Sequence, residues 1–159
     1  MRLSAWRLVK TKHLSHAWTG EGARLYGGRW NNVGIKMVYT ADSLALALLE
    51  VLVHLQDTVV LPAYSAIRAE FDERLVIPLK APELPKNWRD SPAPPETRAM
   101  GDRWISDGRS AVLRVPSAVV PAGFTYLINP NHPNFSRIRL SRPMAFPFDP
   151  RLRKRRDAS

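Results

Sequence analysis

The apolar stretch at residues 44–55, interrupted only by Glu50 and His54, constrains this chain more than any other segment. Strong helix formers follow Asp42, a good N-cap residue, so the sequence predicts one helix over residues 42–55. A helix that is apolar all round is normally buried, and a carboxylate on it needs a partner or a use. Glu50 is therefore either structural, in an ion pair or at a wet edge of the helix, or functional. The helix alone does not decide between these explanations.

The composition narrows the class of protein without choosing a function. A chain of 159 residues is long enough for one domain with its own core. It has no cysteine, which excludes disulfides and thiolate chemistry. No signal peptide or bilayer-spanning segment is present, so we expect a cytoplasmic protein without membrane contact. The net charge of +10 suits nucleic acid, a phosphate-bearing small molecule or an acidic protein as partner.

Hydrophobic alternation predicts short strands on both sides of the apolar helix. Strands are expected at 5–9, 36–41, 64–71, 74–79 (after a turn at 72–73), 110–115 and 135–140, with a short helix at 96–106. Residues 13–28 are rich in glycine and predict a loop, and residues 78–95 hold six prolines, which predict a rigid, irregular connection. The order is mixed α and β, and no Gly-x-Gly-x-x-Gly follows a strand, so a doubly wound dinucleotide fold is not expected.

Three further places carry residues that could take part in chemistry. Gly27 and Gly28 let the backbone approach a ligand closely, and Arg29 beside them offers a planar fork for phosphate or carboxylate. Tyr39 is either a core residue with its hydroxyl at the rim or a wall on which a ring stacks. Ser117 ends a predicted strand, but no Gly-x-Ser-x-Gly surrounds it, so a hydrolase nucleophile is not indicated. Each of these places also has an ordinary structural explanation.

Several functional classes lack their defining residues. The four histidines, at positions 13, 16, 54 and 132, form no His-x-x-x-His pair and have no cysteine to assist them, so no metal site is expected. The sequence also has neither a helix-turn-helix reader nor the aromatic sheet motif of RNA-binding domains.

Six short motifs occur in the order of a known protein family, from about Trp6 to Leu140. They are Gly22-Ala23, Gly27-Gly28-Arg29-Trp30-Asn31, Val38-Tyr39-Thr40-Ala41, Ala47-Leu48-Leu49-Glu50, Val115-Pro116-Ser117 and Asn129-Pro130. Together they resemble the RES-domain toxins of bacterial toxin–antitoxin modules, which are partnered by Xre-type helix-turn-helix antitoxins. The family name comes from an arginine, a glutamate and a serine, which the resemblance places at Arg29, Glu50 and Ser117. The segment 78–95 and the basic tail are not matched.

This resemblance implies a fold and an activity. The family is related to ADP-ribosyltransferases, so we expect a single α+β domain over residues 1–150 with a split mixed β-sheet and short helices. Outside the resemblance, the five basic residues among 151–156 predict a basic, flexible tail at 151–159. Members of the family degrade NAD+ by cleaving the nicotinamide–ribose bond, through hydrolysis or phosphorolysis. The chain is therefore expected to be the toxin of a type II module, an NAD+-consuming hydrolase or transferase. It should bind an Xre-type antitoxin and contact DNA only through that partner.

The resemblance also implies roles for individual residues. It gives catalytic roles to Arg29, Tyr39 and Glu50, and substrate contacts to Arg7, Gly28, Arg29, Tyr39 and Ser117. Glu50 would oppose the positive charge of an oxocarbenium-like state, and Arg29 would hold a phosphate. Tyr39 would stack on nicotinamide, and Ser117 would bond to ribose or phosphate. NAD+ is the expected substrate, inorganic phosphate is a candidate co-substrate, and no cofactor or metal is implied.

Alternatives remain open at the level of sequence. The acceptor of ADP-ribose could be water, phosphate or a protein side chain, and the last would make the protein an ADP-ribosyltransferase. A basic nucleic-acid-binding protein is a less favoured alternative because it leaves Glu50 unexplained. A module that only sequesters a partner is a third. The Phe-Pro-Phe segment at 146–148 is expected to close the domain's own edge rather than to dock another chain.

Overall fold

The computed structural model describes residues 1–55 and 61–153 of the chain. Its strands are β1 (Arg2–Lys10), β2 (Val38–Ala41), β3 (Tyr64–Asp72), β4 (Val76–Pro78), β5 (Val112–Pro116), β6 (Phe124–Ile128), β7 (Arg139–Leu140) and β8 (Met144–Phe146). Its α-helices are α1 (Glu21–Tyr26), α2 (Leu44–His54) and α3 (Pro95–Asp107). Short 3₁₀ helices lie at Thr11–His16, Glu73–Leu75, Ala81–Glu83, Pro133–Arg137 and Pro150–Leu152. Among the described helices, none has the length and apolar character needed to cross a membrane.

One mixed sheet runs through the domain in the order β4-β5-β6-β2-β1-β3-β7, with β8 paired to the other part of β3. β4 and β5 are parallel, and the other strand pairs are antiparallel. β1 pairs with β3 along its whole length, whereas within the described residues it pairs with β2 at Trp6 opposite Ala41. The sheet is thus split between β1 and β2. The expected α+β fold with a split mixed sheet and short helices is confirmed.

The helices α2 and α3 each cover one half of the sheet. α2 packs on the side of β1 that carries Trp6 and Leu8. α3 contributes Trp104 to a separate cluster that contains the fully buried Trp30. Gly101 of α3 lies so close to the backbone of Trp30 that a Cβ at this position would collide with it. α3 therefore packs directly against the 27–31 loop and supports it.

α2 differs from the expected buried helix in two respects. Its N-cap is Ser43, whose Oγ accepts a backbone N–H of the first turn at 3.1 Å. The prediction of Asp42 as the cap is wrong by one residue, because the Asp42 carboxylate accepts the Phe124 N–H instead. Leu49 and Val53 are 41% and 57% exposed, so the helix is buried on one face only, although its sequence is apolar almost all round.

Most of the predicted elements are present. The strands expected at 5–9, 36–41, 64–71 and 110–115 and the helix expected at 96–106 all form, with ends shifted by a few residues. Gly108 ends α3 in the left-handed region, at φ 61°. β8 pairs with β3, and Phe148 packs edge-to-face on both Tyr64 and Phe146. The expectation that this segment closes the domain's own edge is therefore confirmed.

Two predictions about local structure are wrong, and a third is confirmed only in part. Residues 13–28 contain α1 and part of a 3₁₀ helix rather than a continuous loop. Most of 135–140 is not a strand, because a 3₁₀ helix begins at Pro133 and only the last two residues pair with β3. The strand expected at 74–79 forms in part, as β4, because a 3₁₀ helix at Glu73–Leu75 takes up its first residues; β4 pairs parallel to β5. Of the predicted tail, residues 154–159 lie outside the described residues.

Candidate active site

The sheet register brings three of the predicted residues into one region. Four residues on neighbouring strands lie side by side across the sheet: Trp6 of β1, Ala41 of β2, Thr125 of β6 and Val115 of β5. Arg7 is one residue along β1 from this row. Tyr39 and Ser117 are each two residues from it along the chain, in opposite directions. At about 3.3 Å per residue and about 4.8 Å between strands, the three residues fall within a patch roughly 20 Å across. α2, which carries Glu50, follows directly from β2.

Glu50 and Ser117 form a direct pair. Ser117 Oγ donates to Glu50 Oε1 at 2.8 Å and accepts the backbone N–H groups of Val119 and Val120 at 3.2 Å each. Ser117 is fully buried, whereas Glu50 is half-buried on α2. The loop after β5 therefore orients the serine, and the serine in turn orients the carboxylate.

Tyr39 is tied into the loop that carries the glycines and Arg29. Its hydroxyl donates to Asn31 Oδ1 at 2.6 Å and accepts the Trp30 N–H at 3.0 Å. Burial raises the pKa of the Tyr39 phenol, so the hydroxyl stays protonated in the neutral range. Gly28 lies against this ring, since a Cβ there would be 2.5 Å from the tyrosine oxygen. Close approach, rather than an unusual backbone angle, requires glycine at this position.

Asn31 is a positioning residue to which sequence reasoning gave no role. Its side chain is fully buried, and Nδ2 donates to the backbone oxygens of Ala23, Asn32 and Ile35 at 2.8, 3.0 and 3.1 Å. Its Oδ1 accepts the Tyr39 hydroxyl. The only indication in the sequence is an amide inside the glycine–arginine motif, and amides are equally common in ordinary surface turns.

Arg29 contacts the proline-rich segment. Its Nη1 donates to the backbone carbonyls of Trp88 and Asp90 at 2.8 and 2.7 Å. These two carbonyls hold the guanidinium in place, and within the described residues it makes no hydrogen bond to Glu50 or the serine paired with it.

The proline-rich segment also reaches the loop after β5. Arg89 Nε donates to Ala118 O at 3.1 Å, and Ala118 directly follows the buried Ser117. Residues 88–90, which we call the 88–90 bridge, therefore connect the loop of Arg29 with the loop that positions Glu50. No motif in the sequence indicated this connection.

Arg7 spans the gap between β1 and β2. Its Nη1 donates to Tyr39 O at 2.9 Å, and its Nε is shielded from solvent without a hydrogen-bond partner among the described residues. Burial lowers the pKa of the Arg7 guanidinium to about 10, so it stays charged at neutral pH. A buried charge with an unused donor is costly unless a ligand satisfies it. This geometry suits an anion-binding residue.

A cleft of about 260 Å³ adjoins the glycine loop. Its lining includes Gly28 and Asn31 on one side and Arg98 of α3 on the other. Like Arg7, Arg98 has a solvent-shielded Nε without a partner in the described part of the chain. Glu50 does not line this cleft, so the cleft and the carboxylate are separate features of the region.

Together these groups suit a substrate with phosphates and a positively charged reacting centre. Arg7 and Arg29 are cationic groups for phosphate, Glu50 is a fixed carboxylate, and Tyr39 provides an aromatic ring. The structure brings Glu50 into contact with Ser117, and Tyr39 into contact with the backbone beside Arg29. The catalytic and substrate-binding roles of these residues stay predictions.

Comparison with known proteins gives the family. The sequence matches the RES domain model over residues 4–149. Toxin Res of Yersinia enterocolitica is 40% identical over 149 residues, which cover 93% of this chain and 98% of that protein. The Prs ADP-ribosylating toxin of a Sphingobium species is 34% identical over 157 residues, covering 96% of this chain and 98% of that protein. The crystal structure of the Mycobacterium tuberculosis MbcT–MbcA toxin–antitoxin complex matches with a TM-score of 0.76 at 19% identity, covering 92% of this chain and 85% of that one.

The match to the family model and the identity with these relatives define the class of this domain. The chain belongs to the RES domain family, and the family expected from its motifs is confirmed. The similarity to the solved complex agrees with the fold described above.

Proposed function

We propose that this protein is the toxin of a toxin–antitoxin module and that it consumes NAD+ by cleaving the nicotinamide–ribose bond. The observation that carries the proposal is the hydrogen bond from Ser117 to Glu50, which holds a half-buried carboxylate in one orientation. The shielded, unused Nε donor of Arg7 supports it, because phosphate oxygens would satisfy that donor. Relatives named Toxin Res and ADP-ribosylating toxin agree with a toxin that uses NAD+.

Cleavage of this bond needs little acid catalysis, because nicotinamide leaves a cationic ring as a neutral molecule. The bond between ribose C1″ and nitrogen breaks with both electrons passing to the nicotinamide ring, and the ribose carbon becomes oxocarbenium-like. A carboxylate fixed beside that carbon stabilises the positive charge without rearranging. Glu50 has this role. Ser117 fixes its Oε1, and in this proposal its Oε2 accepts a ribose hydroxyl.

The remaining residues hold the substrate in this proposal. Arg7, and Arg29 with the backbone at Gly28, bind the pyrophosphate oxygens. The ring of Tyr39, locked by the two hydrogen bonds of its hydroxyl, stacks on nicotinamide. Arg29 donates to the carbonyls of Trp88 and Asp90. With substrate bound, it either donates to phosphate from its remaining N–H groups or gives up these carbonyls for phosphate oxygens.

The nucleophile that reaches C1″ determines the product. Water gives ADP-ribose, nicotinamide and a proton, whereas inorganic phosphate gives ADP-ribose-1″-phosphate and nicotinamide. A protein side chain gives ADP-ribosylation, a second candidate that the name of the Sphingobium relative favours. All three outcomes release nicotinamide, so they share the same carboxylate chemistry at Glu50.

A toxin of this kind needs a protein that restrains it in the cell. The neighbouring MbcT structure is a complex with an antitoxin, which supports a cognate antitoxin as the partner of this chain. The Xre type of that antitoxin follows from the motif resemblance.

The direct test is release of free nicotinamide from NAD+ by the purified protein, with and without inorganic phosphate. We expect Glu50→Gln to lower this rate at least about hundredfold, because removing one electrostatic stabiliser typically costs that much. Glu73→Gln is the matched control: Glu73 is exposed and bonds the chain's N-terminus, away from the site, so its loss should leave the rate unchanged.

Absence of nicotinamide release by the wild type, or full activity of a folded Glu50→Gln variant, would contradict the proposal. NAD+ labelled on its adenine separates the two candidate functions. Label found only in small molecules supports hydrolysis or phosphorolysis, and label found on protein supports ADP-ribosylation.

A further inference from the structure

A second cleft lies at the start of β1, away from the candidate active site. It has a volume of about 360 Å³, and its polar lining includes four arginines and two carboxylates: Arg2, Arg74, Arg137, Arg139, Glu70 and Asp72. Arg2 is five residues before Arg7, roughly 17 Å along a strand. None of the residues given a role at the active site lines this cleft.

The two carboxylates of the cleft already have partners. Arg74 donates from Nε and Nη2 to the two oxygens of Asp72, each at 2.9 Å, and these bonds lower the pKa of that carboxyl below its usual range. Glu70 is paired with Arg68 at 3.0 Å. Both negative charges are therefore compensated by arginines that lie beside them.

The other three arginines of the cleft have no such compensation. Arg2, Arg137 and Arg139 are exposed and form no ion pair within residues 1–55 and 61–153. They come from three different elements: β1, the 3₁₀ helix that ends at residue 137, and β7. Cross-strand pairing places Arg2 opposite Asp72 and Arg139 opposite Glu70, so these arginines border the compensated carboxylates. The cleft therefore carries an excess of positive charge.

We propose that this cleft binds a phosphate group through Arg2, Arg137 and Arg139. Guanidinium forks match phosphate oxygens bidentately, which distinguishes an arginine site from a set of lysines. The volume of the cleft is that of a small-ligand site. The phosphate belongs either to a free oligophosphate or to the backbone of nucleic acid, and these two sources offer the same chemistry. The proposal does not depend on NAD+ cleavage.

The test measures the full-length protein with two probes. Tripolyphosphate is titrated by calorimetry, and a fluorescent DNA duplex of random sequence is titrated by anisotropy at several salt concentrations. The double variant Arg137→Gln/Arg139→Gln should lower the affinity for whichever probe binds at least about tenfold. The control Arg103→Gln/Arg109→Gln removes two exposed arginines, one in α3 and one just after it, and should keep wild-type affinity.

Thermal unfolding and nicotinamide release should be the same in both double variants, since all four arginines are exposed and outside the active site. Binding of tripolyphosphate identifies a free oligophosphate as the ligand. Binding of DNA alone identifies nucleic acid as the ligand. In that case the slope of log affinity against log salt concentration should become less steep by about one for each arginine removed. The second result would revise the expectation that this protein contacts DNA only through an antitoxin. Failure of both probes to bind, or equal affinity of the two double variants, overturns the proposal.

Discussion

Replacing Ser117 with alanine distinguishes a residue that positions Glu50 from one that contacts the substrate. The change removes the donor to Glu50 Oε1 at 2.8 Å. A hydrogen bond to a charged group contributes about 1.5–3 kcal/mol. If the transition state loses that much stabilisation, kcat falls roughly 10- to 150-fold, at about 1.36 kcal/mol per tenfold. KM should change little, because a positioning residue does not touch the substrate.

The same change should also lower the free energy of unfolding. Ser117 Oγ also accepts two N–H groups of the following loop, at 3.2 Å each. Because Ser117 is fully buried and also loses its bond to the Glu50 carboxylate, the cost should be about 1–3 kcal/mol. Ser110→Ala is the matched control. Ser110 is also buried and bonds Trp104 Nε1 at 2.9 Å, but it lies at the other end of β5.

The assay is nicotinamide release at varied NAD+, together with thermal unfolding of the wild type and both variants. The two variants should unfold at similar temperatures, and only Ser117→Ala should lose kcat. A higher KM with unchanged kcat would refute the positioning role and assign Ser117 to the substrate, as the motif resemblance implies. Unchanged kcat and KM would show that the hydrogen bond to Glu50 has no part in the reaction.

Three further changes test the rest of the site. Gly28→Ala places a Cβ 2.5 Å from a tyrosine hydroxyl and should lower nicotinamide release at least about tenfold. Gly22→Ala, whose Cβ would meet nothing within 4 Å, should leave it unchanged. Arg89→Gln removes the hydrogen bond to Ala118 O through which the 88–90 bridge reaches the loop after β5, and should raise KM for NAD+ severalfold. Lys86→Gln on the same segment should leave KM unchanged. Equal effects of the two changes would refute the role of the bridge. Arg7→Met removes a half-buried charge whose Nε donor has no partner among the described residues, so the free energy of unfolding should change by less than about 1 kcal/mol. KM for NAD+ should rise at least about tenfold. A large loss of stability with unchanged KM would make Arg7 a structural residue.

Local patterns in the sequence predicted most elements of the fold, and tertiary partners account for the errors. The alternation around Arg7 predicts β1, and α3 forms where a short helix is expected. Asp42 and Ser43 are both good helix caps by type. The choice between them depends on the Phe124 N–H, which occupies the Asp42 carboxylate and leaves the serine to cap α2. No pattern within residues 42–55 could reveal that distant donor.

In the candidate site, the sequence indicates the side chains that could act on a ligand but not the backbone groups that hold them. Glu50 is conspicuous in the sequence because it is a single carboxylate on an apolar helix, and its pairing with Ser117 gives that carboxylate a fixed orientation. Arg29, by contrast, is held by carbonyls of the 88–90 bridge, and every residue has a carbonyl. Nothing in the side chains of that segment distinguishes the acceptors from their neighbours. A sequence can therefore indicate the groups that would meet a ligand, but the backbone groups that position them become visible only in the folded chain.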